Sequence, residues 1–252
     1  MKITVAFFNS PFRSVLAAFV LMAGMSCPSF ANDEVKQYMR VTNTQHADLP
    51  ANGTVHVTHS MNELTIEGWD QPGVEITTIK STKYEVGTAE HDKAAKELDG
   101  VKISASQKGA ELVIATDLPK RRGLAALCPA EPFVTLNYVI HVPRNAHVIV
   151  DGRGEVHFDG IAGDIEANMH KGQITVRLAA DAQYSVDAHT KLGSVISDFP
   201  GNTKRHRFVG HDFAASAQAP HKLVLKEGYG DIVILKAAEP RMAATVLPAP
   251  KS

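Results

Sequence analysis

The chain is 252 residues long and 44% hydrophobic, with 26 lysines and arginines against 27 aspartates and glutamates and a formal net charge of −1. A near-neutral chain lacks the basic footprint of a nucleic-acid binder, and two cysteines in this length exclude a disulfide-stapled scaffold. What remains is a chain long enough for one large core or two small ones, held by burial and hydrogen bonding.

Residues 1–31, "MKITVAFFNSPFRSVLAAFVLMAGMSCPSFA", carry Lys2 and Arg13, then an apolar run from Val15 to Met25, then Ser29 and Ala31 at the −3 and −1 positions of a small-residue site. This is the pattern of a secretory signal peptide cleaved between Ala31 and Asn32. The apolar run falls short of the about 20 residues that a membrane span needs. Cys27 offers a competing lipidation site, but Gly24 stands where the lipobox wants a bulky aliphatic residue. Cleavage after Ala31 leaves Cys128 as the single cysteine, so no intrachain disulfide forms and the thiol is available to pair between chains. No second long apolar run follows, so the mature chain is expected to be periplasmic or secreted, without a transmembrane segment.

After a lead-in over 32–44, short alternating segments bounded by Gly, Asn, Asp or Pro predict β-strands. They are "GTVHVT" (53–58), "ELTIEG" (63–68) and "VEITTIKS" (74–81). One helix interrupts them near residues 88–99, within "GTAEHDKAAKELDG" (87–100). Thr88 is its expected N-cap, Ala94, Ala95 and Leu98 its apolar stripe, and Gly100 its stop. Strands resume at 101–106 and 111–116, then, past a loop at 117–132, at 133–142 and 147–150. After residue 178 they continue at 183–188 and 193–197, then, past a second loop at 199–221, at 222–226 and 231–236. The β domain is thus expected over 45–236. The tail 237–252, with prolines at 240, 248 and 250, is expected to be disordered.

The stretch "GEVHFDGIAGDIEANMHKGQITVRL" (154–178) repeats a glycine, a polar residue and a β-branched residue every nine positions, at Gly154, Gly163 and Gly172. Period-two alternation places Val156, Phe158, Ile165, Ala167, Met169, Ile174, Val176 and Leu178 on one face, and Glu155, His157, Asp164, Glu166, Thr175 and Arg177 on the other. Nine residues accommodate a strand of about five or six plus a tight turn, with glycine where positive φ is needed at the start of each strand. Two units, eighteen residues, could make one coil of a solenoid. That offset sets Val156 on Ile174, Phe158 on Val176 and Asp159 beside Arg177. A nine-residue hairpin meander would give the same alternation.

These residues resemble the bacterial "putative adhesin" family. "YVIHVPRNAHVIVDGRGEVHFDGIAGDIEANMHKGQITV" (138–176) is similar to the family's V-P-x-x-A-x-V strand running into G-D-I/V-x-V units. "NGTVHVTHSMNELTIEGWDQPGVEITTIKS" (52–81) resembles its opening, and "KLVLKEGYGDIVILK" (222–236) its closing unit. The chain departs from the pattern in long insertions around Cys128 and Arg205, and in "GRGE" and "HKGQ" in place of S-G-D turns. The resemblance implies an all-β, β-solenoid-like envelope domain without a defined biochemical activity.

Candidate chemistry is sparse. Twelve histidines invite a metal, but the closest pair, His56 and His59, is three apart on a strand and points to opposite faces. His157, His170 and Glu166 share the wet face in the manner of solvated side chains. Asp151, Asp159 and Asp164 resemble the carboxylates of sugar-cleaving β-helices, though the first two precede glycines, as turn residues do. Trp69 reads as a core or cap residue. Lys120, Arg121 and Arg122, with Lys204, Arg205 and Arg207, form two basic loop clusters in an otherwise acidic chain and are the candidate patch for an anion or partner.

The expectation is a non-enzymatic exported envelope protein: a binding or adhesion-type module with no cofactor, holding an unknown envelope partner or an anionic surface glycan or lipid. The alternatives are a carbohydrate-active β-helix enzyme and a structural accessory module without a ligand. N-terminal sequencing of the exported chain is expected to read from Asn32; a lipidated Cys27 at the start would overturn this processing.

Overall fold

The computed structural model describes residues 36–59, 62–117, 133–205, 210–215 and 218–237. The signal peptide, Lys120, Arg121, Arg122, Cys128, Arg207 and the tail from 238 lie outside the described residues. The all-β expectation holds among those described. The strands are β1 (Arg40–Ala47), β2 (Thr54–His59), β3 (Glu63–Trp69), β4 (Val74–Thr82), β5 (Lys102–Lys108), β6 (Glu111–Asp117) and β7 (Val134–Pro143). They continue with β8 (His147–Asp159), β9 (Ile165–Leu178), β10 (Tyr184–Leu192), β11 (Val195–Ser197), β12 (Asn202–Arg205), β13 (His211–Ala215) and β14 (His221–Lys236). A helix, α1 (His91–Gly100), follows a single 3₁₀ turn at Thr88–Glu90.

The strands of the repeat are longer than the nine-residue spacing predicts, because they do not stop at their glycines. β8, β9 and β14 each run through a corner made by Gly152 and Gly154, by Gly172 and by Gly230, at φ values of +146°, +116°, +147° and +151°. Gly193, between β10 and β11, has the same conformation at +146°. L side chains rarely adopt this region, but the more stringent demand comes from the neighbouring strand. A Cβ on Gly172 would lie 1.8 Å from the carbonyl oxygen of Gly154, one on Gly230 1.7 Å from that of Gly172, and one on Gly193 2.0 Å from that of Gly230. The corner glycines therefore stack in register. Gly163, the middle glycine of the repeat, has a different reason: its φ is not positive, and a Cβ there would meet the Ala146 carbonyl oxygen at 2.2 Å.

β8 and β9 pair in parallel, at an offset of eighteen residues past the corner and seventeen before it, and the hairpin meander is not what the chain forms. Val156 pairs Ile174, Phe158 pairs Val176, and Asp159 pairs Arg177, whose Nη1 donates to Asp159 Oδ2 at 2.7 Å. β14 then pairs β9 on one side and β10 and β11 on the other, all parallel. On the opposite flank of β8, its first arm pairs β2 and its second arm pairs β3. The path continues from β2 to β6 and β5, and from β3 to β7, β4 and β1. Side chains expected inward are buried throughout, and both arms contribute to one core: Val148, Val150, Ile165, Leu223 and Leu225 from the first, Val156, Phe158, Ile174, Val176, Ile232 and Ile234 from the second.

Three local expectations need correction. The segment 199–221 is not all loop, since it holds β12 and β13, antiparallel to each other and joined to β10. Thr88 does not cap α1; the helix begins beyond it with Glu90 in the capping position. Nor does Gly100 end the helix by left-handed geometry. Lys80 of β4 reaches over, and its Nζ donates to the carbonyl oxygens of Leu98 and Val101, placing a cation where the helix dipole is negative. Burial holds the Lys80 ammonium below its ordinary pKa, with Asp99 acting the other way.

The glycine stack sets up a paired test in chemical denaturation. Gly172→Ala is expected to cost about 4 kcal/mol or more, because strain and backbone overlap act together. Gly109→Ala, at φ +64° with nothing within 4 Å of the added Cβ, should cost only about 1–2 kcal/mol.

Candidate functional site

On the inward face of the first arm, the apolar phase of several strands ends in a polar residue just before the corner. Val55 and Val57 are followed by His59, Leu223 and Leu225 by Glu227, and Val186 and Ala188 by Thr190; all of these are buried. The register puts them in one row: His59 opposite Gly152, Gly152 opposite Met169, Met169 opposite Glu227 and Glu227 opposite Thr190. Thr190 is satisfied, its Oγ1 donating to the Gly230 carbonyl oxygen at 2.9 Å.

Glu227 is not satisfied. It is 2% exposed; Oε1 accepts from the Tyr229 amide at 3.2 Å, and Oε2 has no partner. Burial pushes its carboxyl from an ordinary 4.5 up to about 7, against the pull of the Tyr229 and Gly228 amides. His59, 1% exposed, is 3.4 Å from the Asn62 carbonyl oxygen through Nε2 and has no partner on Nδ1. Burial lowers its pKa, opposed by the Asn62 contact. Burial at the corner thus favours the neutral form of both groups.

Glu227 also lines a depression of about 420 Å³ on the outer surface, with Asp151, Gly152, Asn168, Met169, His170, His189, Lys191, Lys226 and Gly228 around it. Part of the opening follows from the backbone: Gly228 leaves a gap in the outward series after Lys226. A side chain at Gly228 is forbidden, since its Cβ would fall 2.3 Å from the His170 carbonyl oxygen. An adjoining depression of about 220 Å³ shares Asp151, Asn168 and Lys226 and adds Ile149, Glu166 and Val224. Together they make a groove across β8, β9, β14 and β10. Its central row is set by register: Asp151, Asn168, Lys226 and His189, continuing to Asp212 and Lys204.

Several of these charges are already compensated. Asp151 Oδ2 is 2.8 Å from His56 Nε2, Asn168 Nδ2 donates to Asp151 Oδ1 at 3.3 Å, and His189 Nδ1 is 2.5 Å from Asp212 Oδ1. Lys191 and Lys226 are exposed and have no acidic partner among the described residues.

The residues singled out from sequence fall out differently. Asp151 joins the groove, whereas Asp159 belongs to the second arm, paired with Arg177, and Asp164 precedes β9, its Oδ1 accepting from the Lys222 amide at 2.9 Å. The three carboxylates share no cleft. His56 faces outward and His59 inward, and no group of three or more His, Cys, Asp or Glu among the described residues is arranged to hold a metal. Trp69 is not core: it is half-buried on the outer face, stacked on His141 at 5.3 Å between ring centroids, and its Nε1 donates to the Gly73 carbonyl oxygen at 3.1 Å. Of the basic clusters, Lys204 and Arg205 are described, both exposed on β12, with Lys204 at the end of the groove row. Glu227 and Lys191 escaped the sequence reading. The signal for Glu227 was its phase, two residues after Leu225 in an inward series.

No family model and no curated protein matches the chain. Among solved structures, it is similar to a "putative cell adhesion protein" from Clostridium sporogenes, with a TM-score of 0.50 at 11% identity over 79% of this chain and 100% of the other. A "putative adhesin" from Parabacteroides distasonis reaches 0.31 at 10% identity over 77% of this chain and 65% of the other. A "putative lipid binding protein" from the same organism reaches 0.22 at 10% identity, over 78% and 97%. The first of these shows a shared fold. No helix among the described residues is long and apolar enough to cross a membrane.

The two buried ionisable groups give stability a pH dependence of opposite signs. Glu227 binds its proton more tightly folded than unfolded, so its contribution is full below about pH 4.5 and is lost as pH rises through about 7. His59, held neutral, contributes fully above its unfolded pKa near 6.5 and loses that contribution in acid. In thermal melts, Glu227→Gln is expected to be more stable than wild type at pH 8, by at most about 3 kcal/mol, and to converge with it near pH 4.5. Parallel curves would show that Glu227 is not buried as described.

Proposed function

We propose that this chain is an exported, non-enzymatic envelope module of β-solenoid-like build, and that it acts by binding, with the groove at the glycine corner as its site. The observation that carries this reading is a surface depression edged by Lys191 and Lys226, both exposed and without an acidic partner among the described residues. A depression of about 420 Å³ is also of the size that small-ligand sites have.

The parallel stacking of β8, β9, β14 and β10 supports the solenoid-like reading. The leader read in residues 1–31 supports export. A binding rather than catalytic role is supported by the carboxylates: Asp151, Asp159 and Asp164 lie apart, each engaged with its own partner, so none is set opposite another for acid–base work. The name "putative cell adhesion protein" borne by a structure of the same fold points the same way. Lys204 extends the groove row and is assigned to the same surface.

The test is retention on envelope material. The exported chain, immobilised, is expected to retain a component of envelope extract, and Lys191→Glu/Lys226→Glu should abolish retention while leaving the melting temperature within about 2 °C, because both side chains are exposed. Retention unchanged in the double variant would remove the groove as the site.

A further inference from the structure

We propose that this chain pairs with a second copy of itself through β1, edge to edge and antiparallel, so that the second-arm sheets of two molecules continue as one. The edge lies at the far end of the strand order from the groove's end at β12, and the pairing is independent of the role given to the groove. Among the described residues β1 has β4 as its only neighbouring strand. The Thr82 amide donates to the Met39 carbonyl oxygen directly opposite it. Alternation along an antiparallel ladder then directs the backbone groups of Val41, Asn43 and Gln45 to β4 and leaves those of Arg40, Thr42, Thr44 and His46 facing away from it. The strand is eight residues long and six of them are exposed. An open edge of that length is a template for another strand.

What selects a second copy is the fit of β1 to itself. With the free backbone groups at even positions, the self-pairing that uses all four is centred on Asn43. It sets Arg40 opposite the other copy's His46, Thr42 opposite its Thr44, and Asn43 opposite its own counterpart. Arg40 is exposed and has no ion pair among the described residues. Glu75 stands beside His46, its Oε2 3.7 Å from His46 Nε2, so the incoming guanidinium reaches a strand end that already holds a carboxylate. The hydroxyls of Thr44 and Thr77 meet at 3.1 Å, and the other copy's Thr42 extends that row by one cross-strand pair. Twofold symmetry makes each contact twice. The remaining edges lack this fit. β5 paired on itself over its full length opposes Lys102 to Lys108, like charges face to face. β12 carries Lys204 and Arg205 within four residues, and β11 is three residues long.

Sedimentation equilibrium of the mature chain, carrying Cys128→Ser to remove the native thiol, tests the pairing. A dimer is expected, with Kd below about 10 µM. Thr42→Pro deletes an amide that points away from β4, so the melting temperature should stay within about 2 °C while Kd rises at least about tenfold. Arg40→Glu should also weaken the dimer, and Arg40→Glu/His46→Arg should restore it. The register is read with cysteine. Asn43 lies on the symmetry axis at a non-hydrogen-bonded site, where Cα atoms approach to about 4.5 Å, so Asn43→Cys should link two chains under mild oxidation and Gln45→Cys, opposite Val41, should not. A chain that stays monomeric up to about 100 µM leaves the edge to a strand of another protein or to none, and overturns the proposal. A dimer that Thr42→Pro and Arg40→Glu leave unchanged, or that Asn43→Cys fails to link, is built on another surface and overturns it as well.

Discussion

Everything in this fold hangs on a contact that leaves no room for an atom. At the corner, the carbonyl of one strand occupies the place where the next strand's Cβ would go, at 1.7–2.0 Å for the glycines stacked from Gly154 to Gly193. Hydrogen bonding holds parallel strands about 4.8 Å apart, so a sharp turn shared by every strand brings backbone against backbone with no slack for a side chain. Because the corner must be glycine in the layers from β8 to β10, it also fixes the register of those layers. A slip by one residue would put a side chain into the stack and turn the apolar face outward together.

That register is what aligns the inward series so that polar residues end up side by side. His59, Glu227 and Thr190 are each the last inward residue before the bend, and they occupy one row because the bends coincide. Apolar packing runs out there, and the missing side chain of Gly228 helps open the neighbouring outer surface. The same backbone necessity that makes the corner tight therefore hollows the surface beside it and leaves a carboxyl buried on its inward side.

How much of this was legible depends on whether the determinant was local. The alternation from Val156 to Leu178 and the Asp159–Arg177 pair were readable, because period-two burial and cross-strand charge leave marks within a few residues. The glycine spacing was visible, but its cause was not: the turn conformation is local, whereas the overlap comes from a strand eighteen or more residues away. β14 was read as two strands because "EGYG" carries the signature of a turn, and only the neighbouring corners show that the chain passes through it. β12 and β13 lacked alternation strong enough to stand out from a loop. The groove was the least legible part. Its residues come from four strands, and their meeting depends on β14 lying between β9 and β10, which no local pattern announces.

The position of β14 has a consequence for how the molecule comes into being. The last strand of the described chain is not added to an edge; it lies between β9 and β10, which are both made before it. Until it arrives, neither of those strands has its partner on that side, and the contacts that must form are long-range ones, which are slow to close. Closure of the sheet thereby waits for residues 221–236. The sheet works as an arch with a keystone: a product cut short before residue 221 lacks an interior layer instead of a dispensable fringe, leaving two raw strand edges of the kind that quality-control proteases and aggregation both find first.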